Sequence, residues 1–107
     1  MDEEQAIQRL KNGDIVGLEI LVARYQLKAV RTAYLITSDP DLAEDIVQDT
    51  FIKIIRSING FDTTRPFEPW FLRCVINASI KIMRRTAHQT PVNEETGEME
   101  LARLFEQ

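Results

Sequence analysis

The sequence predicts an all-α fold, a compact bundle of about four helices followed by a partly ordered C-terminal linker. Three observations carry this. The 107 residues, 44% of them hydrophobic, suffice for one small core and not for two. Apolar residues recur at three- and four-residue intervals rather than alternately. Only four glycines and four prolines are present, too few for the turns that an all-β chain of this size needs.

The first helix is expected over residues 3–11, where Ala6, Ile7 and Leu10 share one face and Asn12-Gly13 stops the pattern. Asp14 restarts the chain as an N-cap candidate. Leu18, Leu21, Val22, Tyr25, Ala29, Ala33 and Ile36 then form a stripe that no proline interrupts before Pro40, which gives a long second helix over about residues 15–36.

Asp39-Pro40 opens the third helix, because the aspartate can accept from the free N–H groups of the first turn and proline at the first helical position loses no bond. Asp41, Glu44 and Asp45 suit the positive end of its dipole. Ala43, Ile46, Val47, Thr50, Phe51, Ile54 and Ile58 form its buried stripe, with Asn59-Gly60 as a C-cap pair. Asp45, Gln48, Asp49 and Arg56 fall on the opposite side. A polar loop over residues 61–65 leads to Pro66, and Pro69 fits the first turn of a fourth helix reaching about Arg85, with Phe67, Phe71, Val75, Ala78 and Ile82 inward.

Residues 1–86 therefore form one domain, and the acidic stretch 87–107, with Pro91, Asn93 and Gly97, reads as a linker in which residues 98–105 can form one or two helical turns. The net charge of −4 conceals an alternation: −3 over residues 1–23, +3 over 24–38, −3 over 39–58, +3 over 59–86 and −4 over 87–107. Partners respond to such patches rather than to the sum.

A single cysteine, Cys74, excludes an internal disulfide and a cysteine-built metal site and fits a reducing cytoplasm. No apolar stretch approaches a membrane span, and the opening Met1-Asp2-Glu3-Glu4-Gln5 has neither the basic flank nor the apolar segment of a secretion signal. No phosphate-binding glycine loop, nucleophile elbow or zinc spacing occurs, so the sequence implies no enzyme chemistry, no cofactor and no metal. His88 stands in the polar tail, and Cys74 reads as a small hydrophobe beside the core stripe.

Two surfaces stand out. Trp70, Arg73, Asn77, Lys81 and Arg84 follow one another at steps of three, four, four and three, one line along the fourth helix, with Arg85 beside it. An aromatic plate continued by amide and cationic donors suits single-stranded nucleic acid, where a ring stacks on a base and the cations track phosphates. Spacing alone equally fits a core tryptophan and an ordinary solvated basic face. Asp41, Glu44, Asp45, Gln48 and Asp49 with Lys53 and Arg56 form a mixed-charge face on the third helix, suited to a protein partner or simply to the helix dipole.

The run Asp39-Pro40-Asp41-Leu42-Ala43-Glu44-Asp45-Ile46-Val47-Gln48-Asp49-Thr50-Phe51 resembles the acidic helix of region 2 in bacterial sigma factors of the sigma-70 family, especially the extracytoplasmic-function (ECF) group. Ile58-Asn59-Gly60-Phe61-Asp62, followed by Pro66-Phe67-Glu68-Pro69-Trp70-Phe71-Leu72-Arg73, is similar to that family's specificity loop and the start of its DNA-reading helix. Asn77 and Arg84-Arg85 also fall where that pattern has them, so the resemblance joins several motifs in order over residues 3–86.

The resemblance implies a transcription initiation factor domain, cytoplasmic and without catalysis, that binds core RNA polymerase and melts the promoter −10 element by capturing its non-template strand. Asp45, Gln48, Asp49, Lys53 and Arg56 would dock on the clamp of the largest polymerase subunit. Asn59, Gly60, Phe61, Asp62, Arg65 and Phe67 would form the loop that holds a flipped base. Trp70, Arg73, Asn77, Lys81, Arg84 and Arg85 would contact the strand or the adjoining duplex.

The resemblance also implies an anti-sigma factor as a further partner. Cys74 departs from the pattern, since primary sigma factors place a base-pair-reading side chain there, and Lys81 stands where related sequences often carry Asp. The second helix-turn-helix domain with which family members read the −35 element has no counterpart in these residues, and the acidic tail resembles the start of the interdomain linker. The alternatives are a protein-interaction adaptor that keeps the polymerase face without DNA recognition, and a small helical enzyme, for which no pocket signature speaks.

Overall fold

The computed structural model describes residues 1–89, with side chains as far as residue 86. Four helices follow one another: α1 (Glu3–Lys11), α2 (Val16–Thr37), α3 (Pro40–Ser57) and α4 (Phe67–Gln89), with a 3-10 turn at Ile58–Gly60 after α3. The expected linker and the helical turns over 98–105 lie outside the described residues.

Each start has a local cause. The Asp2 carboxylate accepts from the Gln5 N–H at 2.8 Å while the Gln5 side chain accepts from the Asp2 N–H at 3.1 Å, a reciprocal cap on α1. Asp14 Oδ1 accepts from the Val16 N–H at 3.1 Å, but the helix proper begins a residue later than anticipated, with Ile15 rather than Asp14 at the N-cap position. Asp39 Oδ1 takes the Asp41 and Leu42 N–H groups at 3.1 and 3.2 Å, with Pro40 in the first turn as its fixed φ favours.

Helix α2 is the spine, packing against α1, α3 and α4. Its Leu21, Ala29 and Ala33 are fully buried, and the two alanines leave room for close helix approach. Gly17 makes the tightest contact: a Cβ there would stand 2.1 Å from the Ala6 carbonyl oxygen, so α1 and α2 meet closely only because this residue has no side chain. From α3, Ala43, Ile46, Val47, Phe51 and Ile54 enter the core, and the buried Thr50 hydroxyl donates to the Ile46 carbonyl at 2.7 Å.

Two boundaries differ from expectation. Gly60 does not cap α3 in the left-handed conformation; among the described residues only Ser38 and Gly13 have positive φ. Instead the buried Ile58 holds the chain against the core while the Phe61 N–H donates to the Ile58 carbonyl at 3.0 Å, a tightened turn that needs no left-handed residue. Helix α4 continues to Gln89 rather than stopping near Arg85, since no glycine or proline follows Pro69 until Pro91.

Candidate nucleic-acid interface and docking face

An aromatic chain runs from the core to the surface. Phe51 stacks on Phe71 with ring centroids 4.8 Å apart, Phe71 lies parallel to Phe67 at 5.6 Å, and Phe67 meets both Phe61 at 5.6 Å and Trp70 at 5.7 Å. Trp70, half-buried and 4.9 Å from Phe61, is the outer end of this chain. It is thus neither a closed core residue nor a free surface ring. One part of its surface is fixed by Phe61 and Phe67, and another remains open.

That arrangement gives the expected site residues different depths. Phe61 and Phe67 are only 4% and 2% exposed, so most of each ring supports the loop from beneath. The reason is hydrophobic: both rings place their apolar area in the aromatic cluster. Asn59, Gly60, Asp62 and Arg65 are exposed, as are Arg73, Asn77, Lys81, Arg84 and Arg85 along α4.

The loop between the 3-10 turn and α4 is tied internally. Asp62 Oδ1 accepts from the Thr64 N–H at 2.9 Å and from its hydroxyl at 2.7 Å, Oδ2 faces Arg65 Nε at 3.8 Å, and the Arg65 N–H closes on the Asp62 carbonyl at 3.0 Å. The Thr64 hydroxyl and N–H, with smaller contributions from Arg65 and Lys11, hold the Asp62 carboxyl below its ordinary value of 3.8. From outside the loop, Lys11 Nζ donates to the Phe61 carbonyl at 2.8 Å.

Between the loop and α4 lies an open hollow of about 310 Å³, lined by Gly60, Phe61, Asp62, Arg65, Pro66, Pro69, Trp70 and Arg73. It combines an aromatic wall, two guanidinium groups and one carboxylate, the mixture that takes a flat ring carrying both donors and acceptors on an anionic backbone. A second hollow of about 440 Å³ shares Phe61, Arg65 and Pro66 with the first, and there Glu3 and Glu4 of α1 join Arg65 as charged walls.

Beyond Trp70 the exposed line of α4 spans roughly 21 Å to Arg84 at 1.5 Å per residue. Among the described residues, Arg73, Lys81, Arg84 and Arg85 form no ion pair, which leaves their charge available to an anion. Cys74 sits half-buried beside this line, and burial pushes its thiol up, keeping it neutral.

On α3, Asp45, Gln48, Asp49, Lys53 and Arg56 are all exposed. Sequence reasoning missed what lies among them: Ile52 and Ile55 are 54% and 37% exposed, giving the charged face an apolar centre. Both fall off the buried stripe of α3, and counting helical positions from Ile46 and Ile54 would have revealed them. Among the described residues no group of His, Cys, Asp and Glu could hold a metal ion, and no helix is long and apolar enough to cross a membrane.

The Sigma-70 region 2 family model matches residues 21–89. The chain belongs to that family. Its relatives place it with the ECF sigma factors: it is 30% identical over 91 residues to the ECF RNA polymerase sigma-E factor of Haemophilus influenzae, covering 85% of this chain and 48% of that protein. It is 30% identical over 82 residues to the ECF RNA polymerase sigma factor SigW of Bacillus subtilis, 77% of this chain and 44% of the relative.

The RNA polymerase sigma-H factor of Pseudomonas aeruginosa is 27% identical over 96 residues, 90% of this chain and 50% of its own length. The region 2 domain thus spans about half the length of the curated relatives it matches. Among solved structures, an engineered region 2 of sigmaE in complex with GTAAAA, determined by NMR, superposes with a TM-score of 0.77 at 27% identity, covering 83% of this chain and 93% of that one.

Proposed function

We propose that this domain initiates transcription by docking on core RNA polymerase through α3 and capturing unpaired non-template bases of the promoter −10 element at the loop and α4. The observation that carries the reading is the hollow beside Trp70, which opens at the head of an exposed cationic line that forms no ion pair among the described residues. The solved sigmaE region 2, similar to this chain over most of its length, holds GTAAAA, a six-nucleotide strand of the kind such a groove suits.

In mechanism, polymerase supplies the affinity that brings promoter DNA to α4. A base leaving the stack inserts against Trp70 while Arg73, Lys81 and Arg84 carry the backbone and Asn77 supplies amide hydrogen bonds to a base edge. Flipping a base costs a few kcal/mol, which stacking and hydrogen bonds offset once the DNA is held in place. Strand separation is driven by capture, so no bond is made or broken and the domain acts without catalysis, in the cytoplasm where polymerase works.

On α3, Asp45, Gln48, Asp49, Lys53 and Arg56 surround Ile52 and Ile55, a charged rim about an apolar centre as protein interfaces require. An anti-sigma factor would inhibit by covering this same face. The test is a pull-down with core polymerase together with anisotropy on −10 single strands and their duplex. Retention by polymerase and preference for the single strand support the reading; failure to bind core polymerase with the α3 face intact overturns it.

A further inference from the structure

The family match begins at residue 21, so α1 lies outside it. Yet α1 reaches the capture loop. Its last residue, Lys11, is half-buried and donates to the Phe61 carbonyl across fifty positions of sequence. That carbonyl belongs to the planar peptide joining the buried Phe61 to the exposed Asp62. Fixing its direction fixes the plane from which Asp62 begins the turn with Thr64 and Arg65, the turn that walls the hollow.

Helix α1 is itself held in place. Ala6, Ile7 and Leu10 are buried, and the Tyr25 hydroxyl donates to Glu3 while the Tyr25 ring lies 5.4 Å from Phe67. Holding a long lysine side chain on one carbonyl costs rotamer freedom. A solvated lysine would keep that freedom, so the contact is consistent with a positioning task.

Resting on the reading of this loop as a base-capturing element, we propose that Lys11 is a positioning residue for −10 strand capture, acting through the Phe61 carbonyl to hold the Asp62–Arg65 wall in its receptive geometry. The residue touches no DNA. Its effect is confined to the base in the hollow and absent from the phosphate line of α4 and from the polymerase face of α3.

The test uses the 107-residue chain and a single-stranded hexanucleotide that it selects from a randomised pool, intact and with each position made abasic in turn. Lys11→Met keeps the aliphatic stem and removes the donor; it is expected to weaken binding of the intact strand about fivefold to tenfold, the loss of one hydrogen bond. Binding of the strand abasic at the captured position, and of core polymerase, stays unchanged. Lys11→Arg, which can still donate, restores most of the loss.

Arg9→Met removes the same charge from the same helix and is expected to leave binding unchanged. Equal losses for Lys11→Met and Arg9→Met, or equal losses on intact and abasic strands, would reduce Lys11 to a long-range charge and overturn the proposal. Unfolding of Lys11→Met by circular dichroism overturns it as well, because a positioning residue on a half-exposed site leaves the fold intact. The underlying reading fails elsewhere, in the unsubstituted chain, if that chain binds every abasic strand as tightly as the intact one.

Discussion

The loop between the 3-10 turn and α4 and the outer side of α3 are surfaces of one small bundle, and they are ordered in different ways. The α3 face is what remains when a regular helix has buried its other side: Asp45, Gln48, Ile52 and Arg56 keep their relative places because the backbone does. The loop has no such lattice. Its shape depends on the Phe61, Phe67 and Trp70 rings beneath it, on Asp62 gathering Thr64 and Arg65, and on Lys11 arriving from α1. A partner that reads a helix surface tolerates distant changes, whereas a strand that needs a shaped hollow feels alterations two layers away.

The strongest attempt to break this contrast is Phe67→Ala. It removes the ring on which Phe61, Trp70, Tyr25 and Phe71 converge and is expected to cost about 3–5 kcal/mol of stability, read by urea unfolding. Where the variant remains folded, single-strand binding is lost and polymerase binding persists; simultaneous loss of both would mean that the two surfaces are not separable.

Ile52→Glu tests the other side by placing a charge in the apolar centre of the α3 face. Polymerase affinity should fall by roughly 2 kcal/mol or more, about thirtyfold, as central interface positions do. Stability and single-strand affinity, measured by unfolding and anisotropy, should not change because the residue is 54% exposed.

Trp70→Ala should weaken single-strand binding by about 1–3 kcal/mol through lost stacking, with polymerase pull-down unaffected. Smaller again is Arg84→Gln. It should lower the slope of log affinity against log salt by about 0.7, one phosphate contact on a single strand, without altering which bases are preferred.

The smallest effect is that of pH on the loop. Asp62 titrates below its ordinary value of 3.8 in the folded chain because the ionised form accepts from Thr64. The stabilisation is therefore full above that value and is lost as pH falls through the lower, folded one. NMR shifts of Thr64 should move in that acid window while α3 amides stay still, and Asp62→Asn should abolish the transition.

The helices were legible because each rests on local chemistry: Asp39-Pro40 announces α3, and Ala43, Ile46, Val47 and Ile54 fall on one face at helical spacing and are buried as expected. The charged residues of both surfaces were legible for the same reason, since whatever a helix does not bury it exposes. What stayed hidden involves contact between distant segments. Nothing near Lys11 names Phe61 as its partner, and nothing near Gly17 announces the Ala6 carbonyl against it. The burial of Phe61 and Phe67 was hidden too, because a loop motif gives order along the chain and no depth.

Trp70 is the only tryptophan in the chain, so its fluorescence reports the hollow directly. The decisive measurement is a titration of this domain, alone and bound to core polymerase, with the −10 non-template strand and with the corresponding duplex. The single strand should change Trp70 emission in both settings, with tighter binding when polymerase is present, and the duplex should change it only where it opens. Equal or tighter binding of closed duplex with Trp70 emission unaltered would contradict base capture at this loop.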